Sequence, residues 1–229
     1  MIVYKLTDEN GITGVACSIP LQWGNNVTHS AAGNVFRLCE NGVIHAYRDP
    51  ILAVLLDPIH GDYGPDAKLW ECRIDGRRKI LDDGLKIGTR TLTTIREIEK
   101  PRITQNQRVY FAILCAKSVL PRGEIPEWDT WADRWIAGTN RTVVAAPATA
   151  DIWAAIAASW VARTAAWGAN AVYAAYVATR AADAYTAAAR TADADAWTAN
   201  GTTWAARAAD TNSKIDFVAL AHQAAGFEV

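Results

Sequence analysis

Up to about residue 100 the apolar residues fall in short runs separated by turn signals. Such signals occur at Glu9-Asn10-Gly11, Glu40-Asn41-Gly42, Asp57-Pro58, Ile74-Asp75-Gly76 and Asp82-Asp83-Gly84. Pieces this short predict strands and loops. Ile2 to Leu6, Val43 to Ala46, Leu69 to Ile74 and Thr91 to Ile98 are the predicted strands, the last rich in β-branched residues. Asp49-Pro50 reads as a helix start, because Asp caps well and Pro suits the first turn, with the helix running from Ile51 to Leu56.

Beyond residue 100 the period changes. Thr104 followed by Gln107 forms a capping-box pattern, and Val109, Ile113, Ala116 and Leu120 recur at helical spacing as far as Pro121. A second helix is predicted from Pro126 or Glu127 to Ala137. Trp128, Trp131 and Trp135 lie on one of its faces, and Gly138 ends it.

Composition then shifts. From Ala145 onward 34 of 85 residues are alanine and only 12 are charged. Alanine has the highest intrinsic helix preference, so three or four helices are expected between Thr149 and Ala225, with breaks near Gly168 or Asn170 and at Asn200-Gly201. Trp153, Trp160 and Trp167 are spaced by seven, as are Trp197 and Trp204, which returns a large ring to one face every two turns. Alanine methyls bury little, whereas a buried Trp removes roughly 150–250 Å² from water, on the order of 4–6 kcal/mol. The rings are therefore expected mainly as packing anchors. The competing use of these five rings, Trp160 among them, is a stacking platform, with Arg163, Arg180, Arg190 or Arg207 as charge for a phosphate.

The expected fold is α+β: a small mixed domain over 1–100, bridging helices over 101–145, and an alanine- and tryptophan-rich helical bundle over 146–229. A formal net charge of -1 argues against a protein that coats extended nucleic acid or an anionic membrane. The longest uncharged stretch of the C-terminal region, Thr164 to Thr179, is too short and too weakly apolar to span a bilayer. Four scattered cysteines without a C-x-x-C pair, and no signal-peptide pattern, point to a reduced, cytoplasmic protein.

The distinctive segments are Tyr4-Lys5-Leu6-Thr7-Asp8-Glu9-Asn10-Gly11, Gln22-Trp23-Gly24, Val27-Thr28-His29, Ile44-His45-Ala46-Tyr47-Arg48-Asp49-Pro50, Leu52 to His60, Leu92 to Ile98 and Phe111 to Ala116. Together they resemble a family of uncharacterised phage and metagenomic proteins over most of residues 1 to 140. The tail resembles immunity-protein-like helical repeats of bacterial conflict systems. Between Ile12 and Leu21 this chain carries extra residues relative to that pattern. The resemblance brings no activity, but it implies a phage or prophage accessory protein, a counter-defence factor being one form.

The site chemistry must therefore be read from the residues. His29, Cys39, His45 and His60 are ligand types that suit zinc, but their spacings match no tight ligand pair, and no metal site is expected. The order of Thr28-His29, then Gly42 to Tyr47, then a helix, then a strand with Glu97 is similar to ADP-ribosyltransferase folds. That resemblance implies His29 at the NAD ribose, Tyr47 or His45 on the nicotinamide and Glu97 as catalytic acid, with NAD as cofactor. No G-x-S-x-G, phosphate-binding Gly-rich loop or H-E-x-x-H occurs, which points away from the commoner enzymes. The expectation is non-enzymatic binding or sequestration of a small nucleotide or a host protein without a cofactor, with His45, Trp160, Arg163 and Arg180 at the ligand. The alternatives are the NAD-using transferase and a self-assembling helical protein whose alanine faces form homo-oligomer contacts.

Overall fold

The computed structural model describes residues 1–14, 20–36, 41–60, 63–76, 79–82, 86–119, 126–139 and 216–228. The expectations for the alanine-rich tail, with Trp160, Arg163 and Arg180, lie outside the described residues, as does Cys39. The described parts are mixed α and β, a sheet-rich region with four helices.

Strands β1 (Ile2–Thr7), β4 (Thr28–Ser30), β6 (Lys68–Arg73) and β9 (Thr91–Ile98) form an antiparallel sheet in the order β1-β6-β9-β4. A second antiparallel sheet has the order β5-β8-β7, from Ile44–Ala46, Lys86–Thr89 and Lys79–Asp82. The two sheets join at one bridge. Tyr4 and Tyr47 exchange backbone hydrogen bonds of 2.8 and 2.7 Å along the outer edge of β1. A short hairpin, β2 (Ile12–Thr13) with β3 (Leu21–Gln22), completes the strands.

Burial of β1 on both faces follows from this arrangement. Side chains alternate across a strand, so Val3, Lys5 and Thr7 share one face while Tyr4 and Leu6 share the other. Val3 joins Trp23, Ile44, Ala46, Trp70, Cys72, Ile74, Ile87 and Leu92 in one apolar cluster. Helix α1 (Pro50–His60) packs on β1 and buries five consecutive residues, Leu52 to Leu56. It is longer than the sequence pattern suggests, since Asp57-Pro58 lies inside the helix. A proline near the last turn removes one hydrogen bond, and the buried apolar run outweighs that loss. Asp49 caps α1 as expected, its Oδ1 accepting from Ile51 and Leu52 N–H at 2.8 and 3.1 Å.

Helix α2 spans Gln105–Val119, and its capping box is formed reciprocally. Gln107 N–H donates to Thr104 Oγ1 at 3.3 Å, and Thr104 N–H donates to Gln107 Oε1 at 2.8 Å. Helix α3 spans Pro126–Ile136, followed by Gly138 at φ 75°. Helix α4, Phe217–Ala225, carries a buried stripe of Phe217, Ala221 and Ala224 at helical spacing. The chain divides into two compact units. One comprises Met1–Ile103 with Asp216–His222, the other Thr104–Ile215 with Gln223–Val229. Within the second, Phe227 lies 4.2 Å from the Tyr110 ring and 5.9 Å from Trp135, while Gln107 Nε2 donates to the Ala225 carbonyl at 2.6 Å.

Candidate functional site around Lys5

Lys5 occupies the middle of β1 on the face it shares with Val3, and only 8% of it is exposed. A lysine is almost never buried to this degree without a partner, because its ammonium loses hydration. Its Nζ donates to the carbonyl oxygen of His45 at 3.0 Å and lies 5.3 Å from the centre of the Trp23 ring. These interactions satisfy one of three donors and place the cation near an aromatic ring. Burial lowers the Lys5 pKa to about 8, against a smaller opposing pull from Cys72.

The local fold fixes each wall. Gly11, at φ 80°, ends the turn before the β2–β3 hairpin. Its carbonyl receives Trp23 N–H at 2.7 Å, and a Cβ there would meet the Trp23 carbonyl at 2.9 Å. Trp23, 3% exposed, anchors its indole N–H on Thr13 Oγ1 at 2.8 Å. On the sheet side Trp70 is the register partner of Lys5 and donates its indole N–H to Thr7 Oγ1 at 3.0 Å. Both rings are thus held by threonines, with their polar edges occupied.

His29 meets the Trp23 ring edge-on at 4.6 Å, and its Nε2 lies 2.7 Å from the Gln22 carbonyl. A carbonyl accepts only, so Nε2 carries the proton. His45, which supplies the carbonyl for Lys5, has its own pKa pushed down to about 3, first by burial and then by Lys86 and Lys5. The imidazole is therefore neutral at physiological pH. Lys86 is itself buried at the start of β8. Burial pushes the Cys72 thiol up to about 12, so it too is uncharged. Lys5 thus lies among neutral side chains, with no anionic group in its described contacts.

The structure brings some of the sequence-derived residues together and leaves others apart. His29 meets the Trp23 ring, and His45 reaches Lys5 through its backbone carbonyl. Glu97 is the register partner of Trp70, which is the partner of Lys5, so the three share one rung of the sheet. A β-bulge between Glu71 and Cys72 sets that alignment. Glu97 is exposed, two strands or roughly 10 Å from Lys5. Tyr47 is buried, and its backbone pairs with Tyr4 on the outer edge of β1. His29 and Glu97 do not meet along β9, since His29 pairs with Leu92 at the other end of that strand. Of the residue types considered for zinc, His29 and His45 alone have described side chains.

Lys5, Trp23, Trp70 and Lys86 were absent from the sequence-derived set. One signal was available for Lys5: it stands at an alternating position between Val3 and Thr7, on a strand whose other face is also apolar. Among the described residues no helix is long and apolar enough to cross a membrane. The chain matches no protein-family model, and neither curated proteins nor solved structures match it.

Proposed function

We propose that the chain is a non-enzymatic binding protein that sequesters a small anionic ligand of the nucleotide class at Lys5. The observation that supports this reading is the Lys5 ammonium, nine-tenths buried beside Trp23, with one of its three donors bonded to protein. A nucleotide offers what such a place lacks: acceptor oxygens for the two remaining N–H groups, negative charge to offset Lys5, and a flat base for an aromatic wall. In a low-dielectric interior that compensation is stronger than at the surface. A phage or prophage accessory role accords with the sequence resemblance, and the alanine- and tryptophan-rich tail is the segment for a helical bundle and self-association.

The test is mass spectrometry of small molecules released on denaturing the purified full chain, compared with Lys5→Met. The expected result is an anionic nucleotide near one per chain in the wild type and its loss in the variant. Equal occupancy in both proteins contradicts the assignment to Lys5.

A further inference from the structure

We propose that Lys5 also captures its ligand covalently, its ε-amine condensing with the carbonyl group of a small aldehyde or ketone to form a reversible imine. This rests on the reading that the ligand site lies at Lys5, and adds the chemical class of group that meets the nitrogen.

The geometry supplies three requirements of the reaction. The nucleophile must be held in place, and Lys5 is held by its strand and by the 3.0 Å hydrogen bond to the His45 carbonyl. That bond also orients the nitrogen. Once the amine is neutral, donating one N–H to His45 turns the lone pair away from the carbonyl and leaves it free to attack. The nitrogen must also lack a carboxylate that would keep it charged, and the described hydrogen bond and ring contact of Lys5 include none. Finally, the product must be sheltered from water, and the surroundings on the Lys5 face are Val3, Trp23 and Trp70.

Titration supports the same reading. With a pKa of about 8, roughly a tenth of Lys5 is neutral at pH 7, against fewer than one in a thousand for an ordinary surface lysine. The step balances without a further reactant. The nitrogen forms a bond to the carbonyl carbon and gives up its two hydrogens, the carbonyl oxygen departs with them as water, and a C=N bond remains. Addition of water reverses it. Lys86 is also buried, but it has other interactions and presses electrostatically on His45.

The test uses the full-length wild-type chain, acetaldehyde as probe and cyanoborohydride to trap the imine, with peptide mapping of the ethylated lysines. Lys5 is expected to label at least about tenfold faster at pH 7 than the more exposed Lys68, Lys79 and Lys100, with a rate that rises through pH 8. Labelling of Lys5 no faster than those three overturns the proposal. The two readings fail separately. Adenosine monophosphate binding that Lys5→Met abolishes, without preferential labelling, overturns the covalent step and retains the anion site. Preferential labelling without nucleotide binding retains the capture site and overturns the nucleotide reading.

Discussion

Lys5 and His45 are joined by a hydrogen bond from the ammonium to the backbone carbonyl, and at the same time the lysine charge opposes protonation of the His45 ring. The backbone contact holds two groups side by side that cannot comfortably both be cations. Lys86 adds to the pressure on His45, and Cys72 stays a neutral thiol. The Lys5 ammonium is held by a carbonyl and an aromatic ring, with no carboxylate in its described contacts.

The pH dependence of stability carries the first prediction. Lys5 has its pKa lowered from 10.5 to about 8 in the folded chain, so between those values the unfolded state binds more protons. The Lys5 contribution to stability should rise with pH across that window, by about 3 kcal/mol when the full shift is expressed, while Cys72, raised from 9.0 to about 12 on folding, opposes it above pH 9. Urea denaturation at pH 7.5, 9 and 10.5 of wild type and Lys5→Met isolates this contribution: Lys5 lowers the Cys72 pKa, so without it the folded thiol stays protonated across these pH values, as it does in wild type. A stability difference between the two that stays constant with pH would contradict it.

On the acid side the responsible group is His45. Its pKa falls from 6.5 to about 3 on folding, so the unfolded state takes up a proton first as pH drops. The contribution is complete above pH 6.5 and lost toward pH 3, on the order of 4 kcal/mol at most given its partial exposure. His45→Gln should therefore lose less stability than wild type between pH 6.5 and 4. In Lys5→Met the His45 ring should titrate slightly higher, yet still well below 6.5, because burial is the larger cause; imidazole NMR signals read this directly.

Trp23 depends on a single acceptor for its indole N–H. Thr13→Val keeps the shape and removes the hydroxyl, leaving a buried donor without its bond at 2.8 Å. A loss of about 1–3 kcal/mol in urea denaturation is expected, with Thr13→Ser close to wild type. If Thr13→Val is neutral, the indole has found another acceptor and the wall is less rigid than described.

The strand cores were legible because their cause is local: β-branched and apolar runs between turn residues mark β1, β5, β6 and β9 within two residues at either end. The capping box at Thr104 and Gln107 and the cap at Asp49 were legible for the same reason, each being a bond between residues two or three apart. The hairpin β2–β3 and strands β4, β7 and β8 were not, since they are two to four residues long and depend on their partners. The site was only partly legible. His29, His45 and Glu97 were marked by residue type, but Lys5 was hidden as an ordinary strand lysine. Its burial arises from Trp23, 18 positions away, and from His45, 40 positions away. The alternation of Val3, Lys5 and Thr7 hints at the face, but the burial itself depends on these distant partners.

Asp49 divides its carboxylate between two tasks. Oδ1 caps α1, and Oδ2 lies 2.7 Å from Nε2 of His222 in α4. Asp49→Ala should cost about 1–2 kcal/mol through the cap, and His222→Ala no more than about 1 kcal/mol because His222 is exposed. A double-mutant cycle should give a coupling between the two changes; strict additivity would show that the contact contributes nothing.

The titration of Lys5 itself tests the central claim most directly. With lysine labelled at Cε, NMR spectra between pH 6 and 11 resolve each amine, and Lys5→Met identifies the signal. Lys5 should titrate near 8, and added adenosine monophosphate should raise that midpoint by pairing with the ammonium. A Lys5 signal that titrates with the surface lysines and ignores the nucleotide would contradict both the buried cation and the ligand site built on it.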